Sequence, residues 1–352
     1  MSKFWSPIVV TLHPYVAGEQ PAIANLTKLN TNENPWGPSP RALDAIRTAT
    51  DDNLRLYPDP SAKKLKETLA AYHGVSPDEI FVGNGSDEVL AFIFAGLLKH
   101  DAPLLYPDIT YSFYPTYSRF FDIETKTIPL DDSLSIRIDD YHIDCGGIIL
   151  PNPNAPTGIG LPLSDIQRLV ATHPDQVVAI DEAYVDFGGE TAIPLVRDHD
   201  NLIVVRTFSK SRSLAGMRVG YAVAQRPLIE ALERLKDSFN SYPLDRLAQV
   251  AAIASIEDED WFVTHRDKLI ANRAWLSEQL EARGFDILPS QANFIFARKP
   301  GWEGKLLATA LRERAILVRH FNQPRIADFL RISIGTEEQC ERLVSALDSI
   351  LA

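Results

Sequence analysis

At 352 residues, with 45% hydrophobic and 23% charged side chains, the chain has the composition of a folded globular protein, long enough for a large domain and a smaller one. Its formal charge of -12, with no long lysine or arginine run, excludes a sequence-independent grip on nucleic acid, which needs a concentrated basic surface to displace phosphate counterions. The two cysteines, Cys145 and Cys340, cannot build a disulfide framework and sit in no metal-ligand spacing, so a reducing, cytoplasmic setting is expected.

The N-terminus MSKFWSPIVV lacks the continuous apolar stretch of a signal peptide, and the longest apolar run, Ala91 to Leu98, is too short to span a bilayer. The first 30 or so residues carry three prolines and no strong period, and read as an arm leading into the start of a smaller domain. From there short β-rich runs alternate with helical periods. IFVG (80 to 83) leads into the helix-like SDEVLAFIFAGLL, and GGIILP (146 to 151) into a loop and then LSDIQRLVATH. QVVAIDEAY (176 to 184) and NLIVVRTFSK (201 to 210) lead into further turns. Such alternation predicts an α/β fold with a mostly parallel sheet flanked by helices, and ligands beyond the carboxyl ends of the strands.

After Val223 helical stretches dominate through Arg283, including KLIANRAWLSEQLEARG, where Leu269, Leu276 and Leu280 share a face before a glycine stop. Strand-like ANFIFAR, ILVRH and FLRISIG follow, and a terminal helix carries Cys340, Leu343, Val344, Leu347 and Leu351 on one stripe. We therefore expect residues 31 to 240 to form the large domain and 241 to 352 a smaller α+β one.

The chemistry-bearing residues fall at the predicted strand ends. GNGSDE (83 to 88) follows a strand and opens a helix, so the amides of Gly85, Ser86 and Asp87 can cradle a phosphate at the positive end of the helix dipole, or Ser86 or Asp87 can simply cap it. PNPNAPTG (151 to 158) is a rigid loop that presents Asn154 or merely turns the chain. DEAYVDF puts Asp181 at a strand tip with Tyr184 three residues on; the carboxylate serves a cleft or caps a turn. Lys210, in TFSKSRSLAGMRVGY (207 to 221), is a surface turn residue if taken alone. Together these loops hold an amine, a carboxylate, a phenol and an anion cradle, which is what a pyridoxal phosphate site needs for its Schiff base, its ring nitrogen, its ring oxygen and its phosphate.

The segments DEAY, TFSKSRSLAGMRVGY, NPNAPTG and LRISIG resemble the fold-type I pyridoxal-phosphate aminotransferases, and LNTNENPWGPSP (29 to 40), RLYPDP (55 to 60) and PYVAGEQP (14 to 21) resemble the histidinol-phosphate aminotransferase branch in particular. The resemblance covers nearly the whole chain. It implies pyridoxal 5'-phosphate as cofactor, Lys210 as the Schiff-base lysine and proton carrier, Asp181 against the ring nitrogen and Tyr184 on the ring oxygen. Ser209, Arg218 and the amides of Gly85, Ser86 and Asp87 would hold the cofactor phosphate, and Tyr111 would stack on the ring. Where related enzymes have asparagine directly before Pro-Thr-Gly this chain has Ala155, so the resemblance passes that ring-oxygen contact to Asn154, one place earlier.

On the substrate side the resemblance implies Arg331 for the α-carboxylate, Arg319 for the substrate phosphate or distal carboxylate, Tyr15 over the substrate and Asn32 in a lid-like segment beside it. Tyr57 resembles a residue that reaches the neighbouring subunit's cofactor phosphate, which implies a homodimer. The implied reaction is transamination of L-histidinol phosphate with 2-oxoglutarate in histidine biosynthesis, by a ping-pong scheme. An aromatic amino-acid aminotransferase, an amino-acid-phosphate decarboxylase and a binding module that lost turnover are the alternatives. The eight histidines show no metal spacing, and no metal, nucleic acid or membrane partner is expected.

Overall fold

The computed structural model describes residues 2–15 and 18–352. Val16 and Ala17 of the PYVAGEQP segment lie outside the described residues. In chain order the strands are β1 (Thr27–Leu29), β2 (Ile80–Asn84), β3 (Leu104–Pro107), β4 (Thr125–Ile128), β5 (Gly147–Pro151), β6 (Val177–Asp181), β7 (Leu202–Thr207), β8 (Val219–Ala224), β9 (Asp286–Ile287), β10 (Phe294–Arg298), β11 (Ile316–His320) and β12 (Phe329–Ser333).

The larger sheet runs β2-β8-β7-β6-β5-β3-β4, with β8 antiparallel to both neighbours and every other pair parallel. Its central strands are apolar until their carboxyl ends because helices cover both faces. Successive side chains of a strand point to opposite faces, and β7 shows the consequence. Leu202 and Val204 enter a core shared with Leu65, Ile166 and Ala252. Ile203 and Val205 enter another, under Val89, Ile93 and Phe94 of the helix Gly85–Gly96. Each such side chain, fully buried, stabilises the fold by roughly 1.5–3 kcal/mol before entropy is counted.

The smaller sheet runs β1-β11-β12-β10-β9, antiparallel except where β1 joins β11. The N-terminal segment thus ends by adding an edge strand, while the short helix Pro7–Thr11 before it stays exposed. The core of this unit joins Leu269, Leu276 and Leu280 to Phe294, Ile332, Leu343 and Leu347, so the two leucine stripes read from the sequence meet.

The boundary expected near residue 240 needs correction. Leu244, Ala248 and Ala252 belong to the core of the larger sheet, and the helix Arg246–Glu257 lies against the helices Pro40–Ala49 and Lys63–His73. The change of core falls within the long helix Glu259–Glu281. An amphipathic stripe says that a helix is covered on one face but not by which sheet.

Two features of this packing set up the site. Strands β5, β6 and β7 are parallel and in register, so Pro151, Asp181 and Thr207 end on one edge of the sheet. Gly220 on β8 lets the start of the helix Gly85–Gly96 approach that edge, because a Cβ there would stand 2.3 Å from the Ser86 nitrogen.

Candidate active site

A cavity of about 260 Å³ opens at those strand ends, between the larger sheet and β11 and β12. Lys210, Asp181, Tyr184, Tyr111, Ser86, Asp87, Ser209 and Arg218 line it, together with Tyr15, Asn32, Arg319 and Arg331. The cavity thus lies at the edge of the sheet that the carboxyl-end rule names.

Lys210 stands three residues beyond the end of β7, half-buried, with its ammonium Nζ donating to the Thr31 carbonyl at 3.4 Å and lying 5.7 Å from the centre of the Tyr184 ring. Asp181 is the last residue of β6 and is buried. Its carboxylate accepts from the Tyr114 hydroxyl at 3.0 Å and from the Ala183 amide at 3.2 Å. Burial pushes the carboxyl up to about 6, against the opposing pull of those two hydrogen bonds and of the Lys210 charge. A buried carboxylate held this way offers one negative charge and favours any cation brought beside it.

The anion cradle is built from backbone. Gly85 opens the helix with φ of +78°, a conformation that glycine adopts freely, and a Cβ there would lie 2.4 Å from the Arg218 guanidinium. Arg218 thus sits against the first turn of this helix, whose leading amides have no intrahelical acceptor, and Ser86 and Asp87 of that turn line the cavity. Its Nη2 donates to Asp87 Oδ2 at 2.9 Å, and Tyr111 donates to Asp87 Oδ1 at 3.2 Å. Ser209 is buried on the same side.

Across the cavity Arg319 and Arg331 are direct partners in the β11–β12 pairing. Like charges opposite each other on neighbouring strands destabilise a sheet. Arg331 Nη2 donates to the Asn30 carbonyl at 3.0 Å, whereas its Nε is buried with no partner among the described residues. Burial, reinforced by the Arg319 charge, holds the Arg331 guanidinium below its usual range. A bound anion removes the repulsion and satisfies the orphaned donor together.

Three of the sequence-selected residues sit otherwise. Asn154 is buried and its amide is spent: Nδ2 donates to the Ile109 carbonyl and to Thr157 Oγ1, both at 3.1 Å, and Oδ1 accepts from Thr110 at 3.3 Å. The side chain at the cavity wall is Ala155, so the contact passed to Asn154 is withdrawn. Asn32 lines the cavity but is buried under it, with its amide committed to Tyr184 and Ser333 rather than free as a lid. Tyr57 is 79% exposed and stacked on Tyr242 at 4.6 Å, away from the cavity of its own chain.

Sequence reasoning missed Tyr114, the partner of Asp181. Tyr111, Tyr114 and Tyr117 recur every third residue, a signal that was available, and Tyr117 also reaches the cradle by donating to the Asp87 carbonyl at 2.8 Å. Glu33 and Thr31, which also line the cavity, were missed as well. Among the described residues no three histidine, cysteine or acidic side chains gather to hold a metal ion, and no helix is long and apolar enough to cross a membrane.

Comparison with known proteins identifies the family. The aminotransferase class I and II family matches residues 24–347. The chain is 66% identical over 351 residues to histidinol-phosphate aminotransferase 2 of Rhizobium meliloti (strain 1021), covering all of both chains. It is 62% identical over 355 residues to the histidinol-phosphate aminotransferase of Aromatoleum aromaticum, again over both full lengths. A crystal structure of histidinol-phosphate aminotransferase from Sinorhizobium meliloti in complex with pyridoxal-5'-phosphate superposes with a TM-score of 0.88, covering 100% of this chain and 98% of that one at 24% identity, which speaks to the fold.

Proposed function

The chain belongs to the class I and II aminotransferases and, within them, to the histidinol-phosphate aminotransferases, and we propose that this cavity exchanges the amino group of L-histidinol phosphate with 2-oxoglutarate in histidine biosynthesis, yielding imidazole-acetol phosphate and L-glutamate. The observation that carries the reading is the meeting of Lys210, Asp181 and the Arg319–Arg331 pair in one cavity.

The residues present fit pyridoxal 5'-phosphate. Gly220 lets the Gly85 turn close against β8 and Gly85 lets the Arg218 guanidinium stand against that turn, which brings helix amides and a cation together as a phosphate needs, and the buried Asp181 carboxylate suits a protonated ring nitrogen. When bound, the cofactor supplies an electron sink and carries the amino group between the two half-reactions. Lys210 would hold it covalently and would take and return the proton at the substrate Cα. Asp181 would keep a negative charge beside the ring nitrogen, and Tyr184 would donate to the ring oxygen. The amides of Gly85, Ser86 and Asp87, with Ser209 and Arg218, would grip the phosphate, and Tyr111 would cover the ring. Arg331 and Arg319 take the anionic ends of the substrates, under Tyr15.

Both substrates are anionic, so one arginine pair serves them in turn, as a ping-pong scheme requires. Adding glutamate to the cofactor-loaded protein should shift its visible absorption to that of the amine form, and L-histidinol phosphate should turn over with a higher kcat/KM than phenylalanine. Arg331→Ala should raise the KM for glutamate about a hundredfold, the order of cost for deleting one partner of a buried charged pair. Preferred turnover of phenylalanine, or release of carbon dioxide instead of transamination, would overturn the substrate assignment.

The working unit in this reading is a homodimer. Leu54, Leu56, Tyr57, Phe239 and Tyr242 are all exposed, an apolar group of the kind that marks a protein interface. Tyr57 then reaches the cofactor-phosphate cradle of the second copy rather than its own. Light scattering that returned a monomer mass for the loaded protein would count against it. The setting is cytoplasmic, which suits the two buried, unpaired thiols and is checked by cell fractionation.

A further inference from the structure

Ala155 leaves the ring-oxygen side of the cavity without the polar side chain that an asparagine before Pro-Thr-Gly would supply, so Tyr184 must act there alone. A tyrosine hydroxyl both donates and accepts, and which it does toward the cavity depends on its other partner. That partner is Asn32, whose Nδ2 lies 3.0 Å from the Tyr184 oxygen.

This bond is the end of a run of hydrogen bonds that begins at a backbone amide. The Asn32 N–H can only donate, and it donates to Ser333 Oγ at 2.9 Å. The Ser333 hydroxyl in turn donates to Asn32 Oδ1, 2.8 Å away. With Oδ1 on the Ser333 hydroxyl, the NH2 end of the amide faces Tyr184 and donates to it. Tyr184 accepts, and its proton is left to point elsewhere. The ring is held edge-on against Phe294 at 5.1 Å. Asn32 itself is anchored at φ +57° by Asn293 Nδ2, which donates to its carbonyl at 2.8 Å. Lys210, with Nζ 5.7 Å from the ring centre, and Arg331, whose charge senses Tyr184, are the charged groups facing it.

We propose that Asn32 and Ser333 form a polarity relay that makes Tyr184 an obligate donor toward the cavity, where it compensates for the asparagine missing at position 155. The inference rests on the cofactor reading above. Asn32 is a positioning residue acting through Tyr184. Ser333 lies two residues beyond Arg331 on β12, so the strand that binds the substrate anion also orients the donor on the far side of the cavity.

An anionic ring oxygen deprived of its donor holds the neighbouring proton more tightly, so the pH midpoint of the visible absorption change of the loaded protein should rise. Asn32→Gly is the variant of choice, because glycine keeps the left-handed backbone and deletes only the amide. The midpoint should rise by about one pH unit, a tenfold change in proton affinity, in Tyr184→Phe, and by a smaller amount in Asn32→Gly. In the Tyr184→Phe background Asn32→Gly should add nothing. Ser333→Ala, which frees the amide to turn, should shift the midpoint in the same direction, and serves equally if Asn32→Gly does not fold. An unmoved midpoint in Asn32→Gly and Ser333→Ala, or shifts that add fully to that of Tyr184→Phe, would overturn the relay. Absence of any visible band in the unsubstituted protein would instead overturn the cofactor reading, and the relay with it.

Discussion

Replacing Lys210 with arginine should abolish transamination as completely as replacing it with alanine. Arginine keeps the positive charge and much of the reach, but its guanidinium does not give up a proton in a protein, so it can neither attack an aldehyde nor collect a proton from carbon. If Lys210 merely paired with the Thr31 carbonyl or lay over the Tyr184 ring, its two visible contacts, arginine would replace it with modest loss. If it carries the proton at the substrate Cα, both variants lose general-base catalysis worth about 10²–10⁴-fold, together with covalent retention of the cofactor. Turnover of L-histidinol phosphate should therefore fall by at least about 10⁴-fold in each, measured in a coupled assay for glutamate. A Lys210→Arg protein retaining a tenth of the activity would show that another group moves the proton. The absorption spectrum separates the two losses, since either variant can still hold the cofactor phosphate at Ser86 and Arg218 while lacking the covalently bound form.

The residues most legible in the sequence are those whose chemistry is unusual for their place. A lysine and an aspartate at the ends of buried strands are costly where they stand unless something uses them, and both face the cavity. The parallel order of β5, β6 and β7 made their tips coincide, so the motifs could be assembled from the pattern of strands alone. What could not be read was whatever depends on register or on packing between distant elements. The direct opposition of Arg319 and Arg331 depends on how β11 pairs with β12. The relay from Ser333 through Asn32 to Tyr184 joins residues 301 and 152 positions apart. Asn154 misled because its amide is taken up by structure, by Thr157 within its own loop and by Ile109 and Thr110 of the loop packed beside it. The helix Arg246–Glu257 was placed with the wrong core for a similar reason, since its alanine-rich face is compatible with either.

Asp181→Asn should cost turnover far more than it costs substrate binding. The amide is nearly isosteric and can still accept from Tyr114, so the fold and the cavity survive, but the fixed negative charge beside the ring nitrogen is gone. A preorganised charge aimed at a site of developing charge is worth about 10²–10³-fold in kcat, and that is the loss expected, with KM for glutamate changed little. The pH dependence gives an independent check with a definite sign. In the chain alone, burial raises the Asp181 carboxyl to about 6, so it holds a proton below that pH and is anionic above it. Only the anion favours a protonated ring nitrogen, so uptake of pyridoxal 5'-phosphate by the apoprotein should weaken as the pH falls through 6. The Asp181→Asn protein should bind more weakly at neutral pH and lose this step. Tyr114→Phe removes a hydrogen bond that favours the carboxylate, so in that variant the step should move to higher pH. Equilibrium dialysis of the apoproteins across this range measures all three. A step that persisted in Asp181→Asn would assign it to another group, and Asp181 would then have no claim on the ring nitrogen.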